Sequence, residues 1–200
     1  MPRAAGQIDR AKNEAILEAA SDVIFERGLA APLDEVARRA GVSKQTIYNH
    51  YGSKGDLVRA LIERRSRLIS SPFEAPGAEL NPEATLAAYA RQLLQTIMMD
   101  RGVALFRLLI AGGDPELVRQ VLPNGFAGAR SMLTEFLQRE ADAGRLAIAD
   151  AAEASEFFAG MVVAHRHVEN LLGLAQDLTE DRLDHVAREA ARRFVRAYAP

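Results

Sequence analysis

The sequence predicts an all-α protein of about nine helices. Apolar residues recur at the three- and four-residue spacing of amphipathic helices through most of the chain. No segment alternates polar and apolar residues as a half-buried strand does. Ser, Asn, Asp and Thr stand where several of these segments begin, and Gly stands where several end, as expected for capped helices.

Composition limits the class of protein. The 200 residues are 48% hydrophobic and 26% charged, as is usual for a globular chain. The longest apolar run, 157–164, is far shorter than the roughly 20 residues of a membrane span, and the first ten residues contain no apolar signal segment. The chain has no cysteine, which excludes disulfides, thiol catalysis and zinc fingers. We expect a cytoplasmic protein with no membrane partner.

Positive charge is concentrated at the N-terminal end. The net charge is −2, yet residues 1–70 carry 12 Lys and Arg against 9 Asp and Glu. All three lysines, Lys12, Lys44 and Lys54, lie in this part. A basic end on an acidic chain is typical of a DNA reader joined to a second domain that does not contact DNA.

The first helix is expected from Asp9 to about Arg27, after a flexible arm of residues 1–8. Gly28 ends it, because a left-handed C′ position favours glycine. Its inward face is predicted to consist of Ile16, Ala20, Val23 and Ile24.

The pattern of residues 32–51 predicts a helix-turn-helix. Pro32 is predicted at the first helical position, and an apolar stripe from Leu33 to Ala40 follows it. Gly41 ends this short helix, and Ser43 caps a second one whose only clearly inward residue is Ile47. A further helix begins after Ser53, with Asp56 at its third position.

The second short helix is too polar to be explained by burial. Its Gln and Asn side chains are suited to adenine edges, Lys to guanine or phosphate, Thr to a thymine methyl and Tyr to a phosphate. No acidic residue lies between Val42 and Lys54. The alternative is a glycine-broken helical hairpin without a nucleic-acid partner, which many all-α proteins contain. The predicted contacts to double-stranded DNA are Ser43, Lys44, Gln45, Thr46, Tyr48, Asn49, His50 and Lys54.

The stretch AGVSKQTIYNHYGSKGDL closely resembles the helix-turn-helix signature of the TetR/AcrR family of bacterial transcriptional regulators, and AILEAASDVIFERG is similar to that family's first helix. The resemblance implies a DNA-binding domain over residues 9–54 and a helical regulatory and dimerisation domain over residues 55–200. Pro32 departs from the family pattern, in which Thr or Ser at about this place caps the helix and contacts a phosphate.

The C-terminal part resembles the AefR-like branch of the same family through LFRLLIA, DPEL and RFVRAYAP. Its helices are expected at Ser53–Ser70, Asn81–Asp100, Val103–Ala111 (buried on all sides), Asp114 to an interruption at Pro123, Asn124–Ala143, Asp150–Leu172 and Thr179–Tyr198.

No catalytic or metal-binding set is found. The chain lacks a nucleophile elbow, a phosphate-binding glycine loop and an H-E-x-x-H zinc motif. His165 and His167 are two residues apart, so on a helix they point to nearly opposite sides and cannot share a metal. We expect no enzyme activity and no cofactor.

The resemblance implies a dimeric repressor that a small, largely apolar ligand releases from a pseudo-palindromic operator. The alternative is a constitutive DNA-binding protein whose helical domain only dimerises. His165 falls within an apolar arc, so it is either a core or interface histidine or a polar contact to a ligand. Candidate ligand contacts are Met98, Phe106, Phe126, Met132, Phe158, Met161, His165 and Asn170. Candidate dimer contacts are Phe157, Met161, Ala164, Val168, Leu171, Leu183, Val186, Ala190 and Phe194.

Overall fold

A computed structural model of the chain describes residues 5–111, 115–174 and 179–200, with side chains described from residue 10 onward except over 112–127. Within these ranges the chain forms ten α-helices and no strand, which confirms the all-α prediction. They are α1 Ala5–Arg27, α2 Leu33–Ala40, α3 Lys44–Tyr51, α4 Lys54–Ser70, α5 Pro82–Met98, α6 Asp100–Ala111, α7 Pro115–Asp142, α8 Ala151–Val163, α9 Arg166–Leu171 and α10 Glu180–Ala197. Among the described residues, no helix is both long and apolar enough to cross a membrane.

The helices divide between two compact units. The first unit contains α1 to α3, α4 as far as Arg64, α6 from Ala104 onward, and the start of α7 as far as Asn124. The second unit contains the end of α4, α5, the first residues of α6, the greater part of α7, and α8 to α10. Three helices, α4, α6 and α7, therefore begin in one unit and end in the other.

The first unit has a dense aliphatic core. Ile16, Val23 and Ile47 have no exposed surface, and the predicted inward face of α1 is confirmed. Leu57, Leu61 and Ile62 of α4 belong to the same cluster, as do Leu105 and Leu109 of α6. This core holds α2 and α3 against α1 and α4.

The second unit is built around a chain of aromatic rings. Phe73 stacks on Tyr89 and on Phe136, at 4.9 Å between ring centroids in each case. Phe158 lies 5.0 Å from Phe194, edge to face. Burial raises the pKa of Tyr89 to about 12, so this phenol is neutral at physiological pH.

Four helices differ from the expectation. α1 begins at Ala5, four residues before the predicted start at Asp9. The helix expected to be buried on all sides is α6, but Ile110 is 72% exposed because only one face of α6 packs on the core. The predicted interruption at Pro123 is wrong, because α7 runs through it. The helix expected over Asp150–Leu172 is broken at Ala164, whose φ of 47° and ψ of −144° end α8.

Candidate nucleic-acid interface

The turn between α2 and α3 is fixed by backbone hydrogen bonds. Gly41 has φ 66°, a left-handed conformation that costs glycine little. It lets the Val42 N–H donate to the Ala37 carbonyl at 3.0 Å. Ser43 then turns extended, and its Oγ accepts from the Thr46 N–H at 3.0 Å. The predicted cap of α3 is therefore confirmed.

α3 presents a polar surface around a single buried anchor. Ile47 has no exposed surface, whereas Lys44, Gln45, Tyr48, Asn49 and His50 are exposed. Eight residues make a helix about 12 Å long, which suits the roughly 12 Å width of the DNA major groove. The helix contains no acidic residue that would repel phosphates.

The two amides of α3 are held together. Gln45 Nε2 donates to Asn49 Oδ1 at 2.8 Å, across one helical turn. The bond fixes how each amide faces outward, while Asn49 keeps both of its N–H donors. A pre-oriented amide pair loses less side-chain entropy when it meets a base edge than two mobile side chains lose.

Lys44 at the start of α3 is paired within the protein. Its Nζ lies 2.8 Å from Asp34 Oδ2 on α2, and this hydrogen bond raises the pKa of Lys44. Asp34 was not singled out from the sequence. The available signal was an acid in the first turn of α2, ten residues before the lysine. Any contact between Lys44 and DNA must compete with Asp34.

α2 begins without a side-chain cap. Pro32 occupies the N-cap position, one place earlier than predicted, and α2 starts at Leu33. At φ −72° and ψ 143°, Pro32 makes no side-chain hydrogen bond to the helix. Lys54, the first residue of α4, donates from Nζ to the carbonyl of Ala31 at 2.5 Å. Lys54 is half-buried, and the loss of water lowers its pKa.

An ionic network joins α2 to α1. Arg39 donates from Nη1 to Glu26 Oε1 at 2.7 Å, and Arg38 donates from Nη2 to Glu35 Oε1 at 2.6 Å. The hydrogen bond from Arg38 is the main reason that the pKa of Glu35 falls to about 2. These arginines are therefore engaged with carboxylates, in contrast to the acid-free surface of α3.

The last residue of α3 is tied to α1. Tyr51 donates a short hydrogen bond from its hydroxyl to Asn13 Oδ1. Gly52 follows at φ 74°, and its N–H donates to the Tyr48 carbonyl at 2.7 Å. Both ends of α3 are thus fixed by contacts that leave its outer face open.

The sequence-predicted ligand contacts are dispersed. Met98 and Asn170 come together, because Asn170 Nδ2 donates to the Met98 carbonyl at 2.7 Å. Phe158 is fully buried among other aromatic rings, and Met132 is half-buried. Phe106 is half-buried in the first unit. The side chain of Phe126 lies outside the described residues.

His165 is turned into solvent by the break after α8. Its side chain is 75% exposed, and its Nε2 lies 3.6 Å from Glu169 Oε1. A continuous helix would have placed it within the apolar arc. The core assignment of His165 is therefore wrong, while an interface or ligand contact stays a prediction. Met161, which precedes the break, is also exposed.

The predicted dimer contacts fall into two groups. Phe157, Met161, Ala164 and Val168 are exposed, and Leu171 is half-buried. By contrast, Leu183, Val186, Ala190 and Phe194 are at most 8% exposed, because the chain's own helices cover them. Most of the surface of these four α10 side chains is therefore buried in the core of the second unit.

A crevice of about 340 Å³ runs beside this stripe. It is lined by the apolar residues Met161, Val186 and Ala190 and by charged residues that include Arg166, Arg182 and Arg193. Methionine and arginine are both enriched at protein interfaces.

Two family profiles match the chain. The profile of the bacterial regulatory proteins of the tetR family matches residues 16–61. The profile of the C-terminal domain of AefR-like transcriptional repressors matches residues 84–200. Together they cover both the helix-turn-helix and most of the second unit.

Individual relatives agree with these profiles. The HTH-type transcriptional activator FasR of Mycolicibacterium smegmatis is 50% identical over 62 residues, which are 30% of this chain and 28% of FasR. The solved structure of the flavonoid-responsive regulator FrrA has a TM-score of 0.68 and 29% identity, covering 94% of this chain and 97% of FrrA. A TetR-family regulator from Mesorhizobium loti shares the fold at a TM-score of 0.77 and 24% identity, covering 94% of this chain and 97% of that one.

Proposed function

Because the chain belongs to the TetR family of bacterial regulatory proteins, we propose that it is a homodimeric repressor, released from a pseudo-palindromic operator by a small, largely apolar ligand. DNA-binding transcriptional regulation is the family's activity. The dimer, the sign of regulation and the ligand are the proposed parts. FasR is named an activator and the matched C-terminal profile a repressor; we adopt repression because that profile covers more of the chain.

The surface of α3 carries the proposal. Its exposed side chains supply donors and acceptors for base edges, and Ile47 anchors the helix in the core. In this proposal Gln45 and Asn49 read bases, and Ser43, Lys44, Thr46, Tyr48 and His50 contact bases or phosphates.

The test places an acid on this surface. Lys44→Glu should abolish binding to all DNA sequences, because the new carboxylate faces the phosphates and meets Asp34 as well. Arg67→Glu is the matched control, since it makes the same change of charge at an exposed position near the end of α4. If both variants bind DNA equally, α3 is not the reading helix.

We infer a dimer because a single helix contacts too little DNA to be specific. A single recognition helix contacts only a few base pairs, so two copies on adjacent half-sites are needed for useful specificity. The exposed apolar residues of α8 and α9, Phe157, Met161 and Val168, form the surface that a second copy would cover. The crevice beside α10 continues this surface.

The proposed ligand site lies in the second unit, near Met98, Met132 and Phe158. These are soft or aromatic side chains of the kind that lines adaptable apolar pockets. Asn170 supplies a polar group at its bond to the Met98 carbonyl. FrrA, named for its response to flavonoids, supports a planar and largely apolar ligand.

Ligand release is tested by reciprocity. A ligand that weakens DNA binding 100-fold must prefer the DNA-incompetent form by about 2.7 kcal/mol, and DNA must weaken ligand binding by the same factor. We would measure both affinities with flavonoids and other planar compounds. If a compound binds in the second unit and neither affinity changes, the alternative of a constitutive DNA-binding protein is favoured for that compound.

A further inference from the structure

The start of α2 has no side-chain cap. Its N-cap is Pro32, which has no hydroxyl or carboxylate to accept a hydrogen bond from the first turn of the helix. The loop before it is shaped by Gly28 at φ 78° and by a bond from the Ala31 N–H to the Gly28 carbonyl at 3.2 Å. These contacts hold the loop from the side of α1.

The second support comes from α4. Lys54 reaches across 23 residues of sequence and donates from Nζ to the carbonyl of Ala31 at 2.5 Å. Ala31 is only 5% exposed, so a bond to its carbonyl is shielded from competing water. Lys54 itself is fixed by the start of α4, where the Asp56 N–H donates to Ser53 Oγ at 3.1 Å.

This bond links the two ends of the segment that contains the reading helix α3. The segment between Ala31 and Lys54 contains the whole of α2 and α3. Its two ends are joined by the Lys54 ammonium, and its middle is anchored by Ile47. The position of the start of α2, the orientation of α3 and the position of the start of α4 therefore depend on one another.

We infer that Lys54 is a positioning residue that holds the reading helix by bonding the Ala31 carbonyl, which fixes the loop immediately before the uncapped start of α2. Its contribution to DNA binding is then geometric and does not come from a phosphate contact. This inference rests on the proposed DNA binding. It revises the expectation from the sequence, which assigned Lys54 to the DNA surface.

The two roles give different salt dependences. A lysine that neutralises a phosphate contributes about 0.9 to the slope of log affinity against log salt, and its loss weakens binding to every sequence alike. Loss of a positioning lysine leaves this salt slope unchanged. It weakens mainly the complex with the preferred DNA site, because that complex depends on the exact placement of α3. Removing it should lower affinity for the preferred site by about 3- to 10-fold, the effect of one net hydrogen bond.

The experiment compares wild type, Lys54→Met, Lys54→Arg and Lys44→Met. Each is titrated with a duplex that the wild-type protein has selected from a random library, and with a shuffled duplex, between about 50 and about 200 mM KCl. Lys44→Met shows the effect of losing a cation from the exposed face of α3. All titrations are made well below the unfolding midpoint of every variant. Each variant is then folded, and a change in affinity does not reflect a general loss of stability.

We expect Lys54→Met to bind the selected duplex more weakly with an unchanged slope, to lose discrimination against the shuffled duplex, and to be rescued by Lys54→Arg. A slope that falls by about 0.9, with equal losses on both duplexes, would overturn the inference, and so would unchanged binding. Should Lys54→Met fail to fold, Lys54→Gln takes its place, because it removes the charge and keeps an N–H donor. An unchanged slope for Lys54→Gln then supports the positioning role, and a slope that falls by about 0.9 overturns it. A wild-type protein that selects no DNA contradicts the proposed function instead.

Discussion

Replacing Ala164 by Gly is expected to stabilise the protein, because Ala164 holds a backbone conformation that suits glycine. Its φ of 47° with ψ of −144° lies where a Cβ atom crowds the neighbouring peptide groups. Such a conformation persists only when the surrounding structure enforces it. Here α8 ends at Val163, and α9 is held on the far side by the bond from Asn170 to the Met98 carbonyl.

The magnitude follows from two opposing effects. Relief of a strained backbone conformation is worth about 1–3 kcal/mol, while glycine adds about 0.5–1 kcal/mol of conformational entropy to the unfolded chain. The net gain should be about 1 kcal/mol. For a chain of about 200 residues this raises the unfolding midpoint by about 2–4 °C.

Ala159→Gly is the matched control, because it makes the same chemical change inside α8 at a half-buried position. There glycine should cost about 1 kcal/mol. Thermal unfolding, followed by far-ultraviolet circular dichroism at one fixed protein concentration, should move the two midpoints in opposite directions. If Ala164→Gly destabilises the protein as much as Ala159→Gly does, residue 164 is helical and the break between α8 and α9 is refuted.

Three further substitutions test other parts of the molecule. Gln45→Ala should relax base preference at one position, at a cost of about 1–3 kcal/mol for a bidentate contact, and selection from a random library that returns the wild-type site unchanged would exclude Gln45 as a reader. Phe157→Asp should give monomers in analytical ultracentrifugation, because a two-fold interface meets each substitution twice; a soluble variant that still sediments as a dimer places the interface elsewhere. The pKa of Glu35 is lowered from 4.5 to about 2, so its ion pairs stabilise the fold above pH 4.5 and lose that effect as pH falls towards 2. Glu35→Gln should flatten this part of the stability curve, and identical acid profiles for variant and wild type would argue against the ion pairs.

Local chemistry made much of the fold predictable. The caps at Ser43, Asn81, Asp150 and Thr179 each form a bond between a side chain and a backbone N–H within a few residues, so the sequence alone contains both partners. The inward face of α1 was predictable for the same reason, since a regular apolar stripe identifies the face that packs.

Contacts between distant segments were not predictable. The bond from Lys54 to Ala31 joins residues 23 apart, and no local pattern identifies a backbone carbonyl as the acceptor. The stripe that includes Phe194 was assigned to a partner subunit, but α5 and α8 of the same chain cover it. An amphipathic pattern shows that a face is buried without showing what buries it.

The break at Ala164 was hidden because the segment from Met161 to Leu172 contains neither Gly nor Pro. Tertiary contacts overrode a helical propensity that is a weak prior by itself. As a result, the sequence placed His165 on an apolar arc, whereas the structure exposes it. The exposed face of α3 was predictable, since it depended on one short helix with a single buried anchor; its contact with DNA stays a prediction.

Selection of duplex DNA from a random library by the wild-type protein tests the central claim most directly. We predict a two-fold symmetric site whose half-sites lie about 10 base pairs apart, or a multiple of that spacing, bound at least about 1,000-fold more tightly than a shuffled duplex. Failure to enrich any sequence, or enrichment that survives Lys44→Glu unchanged, would contradict the proposal that α3 reads DNA.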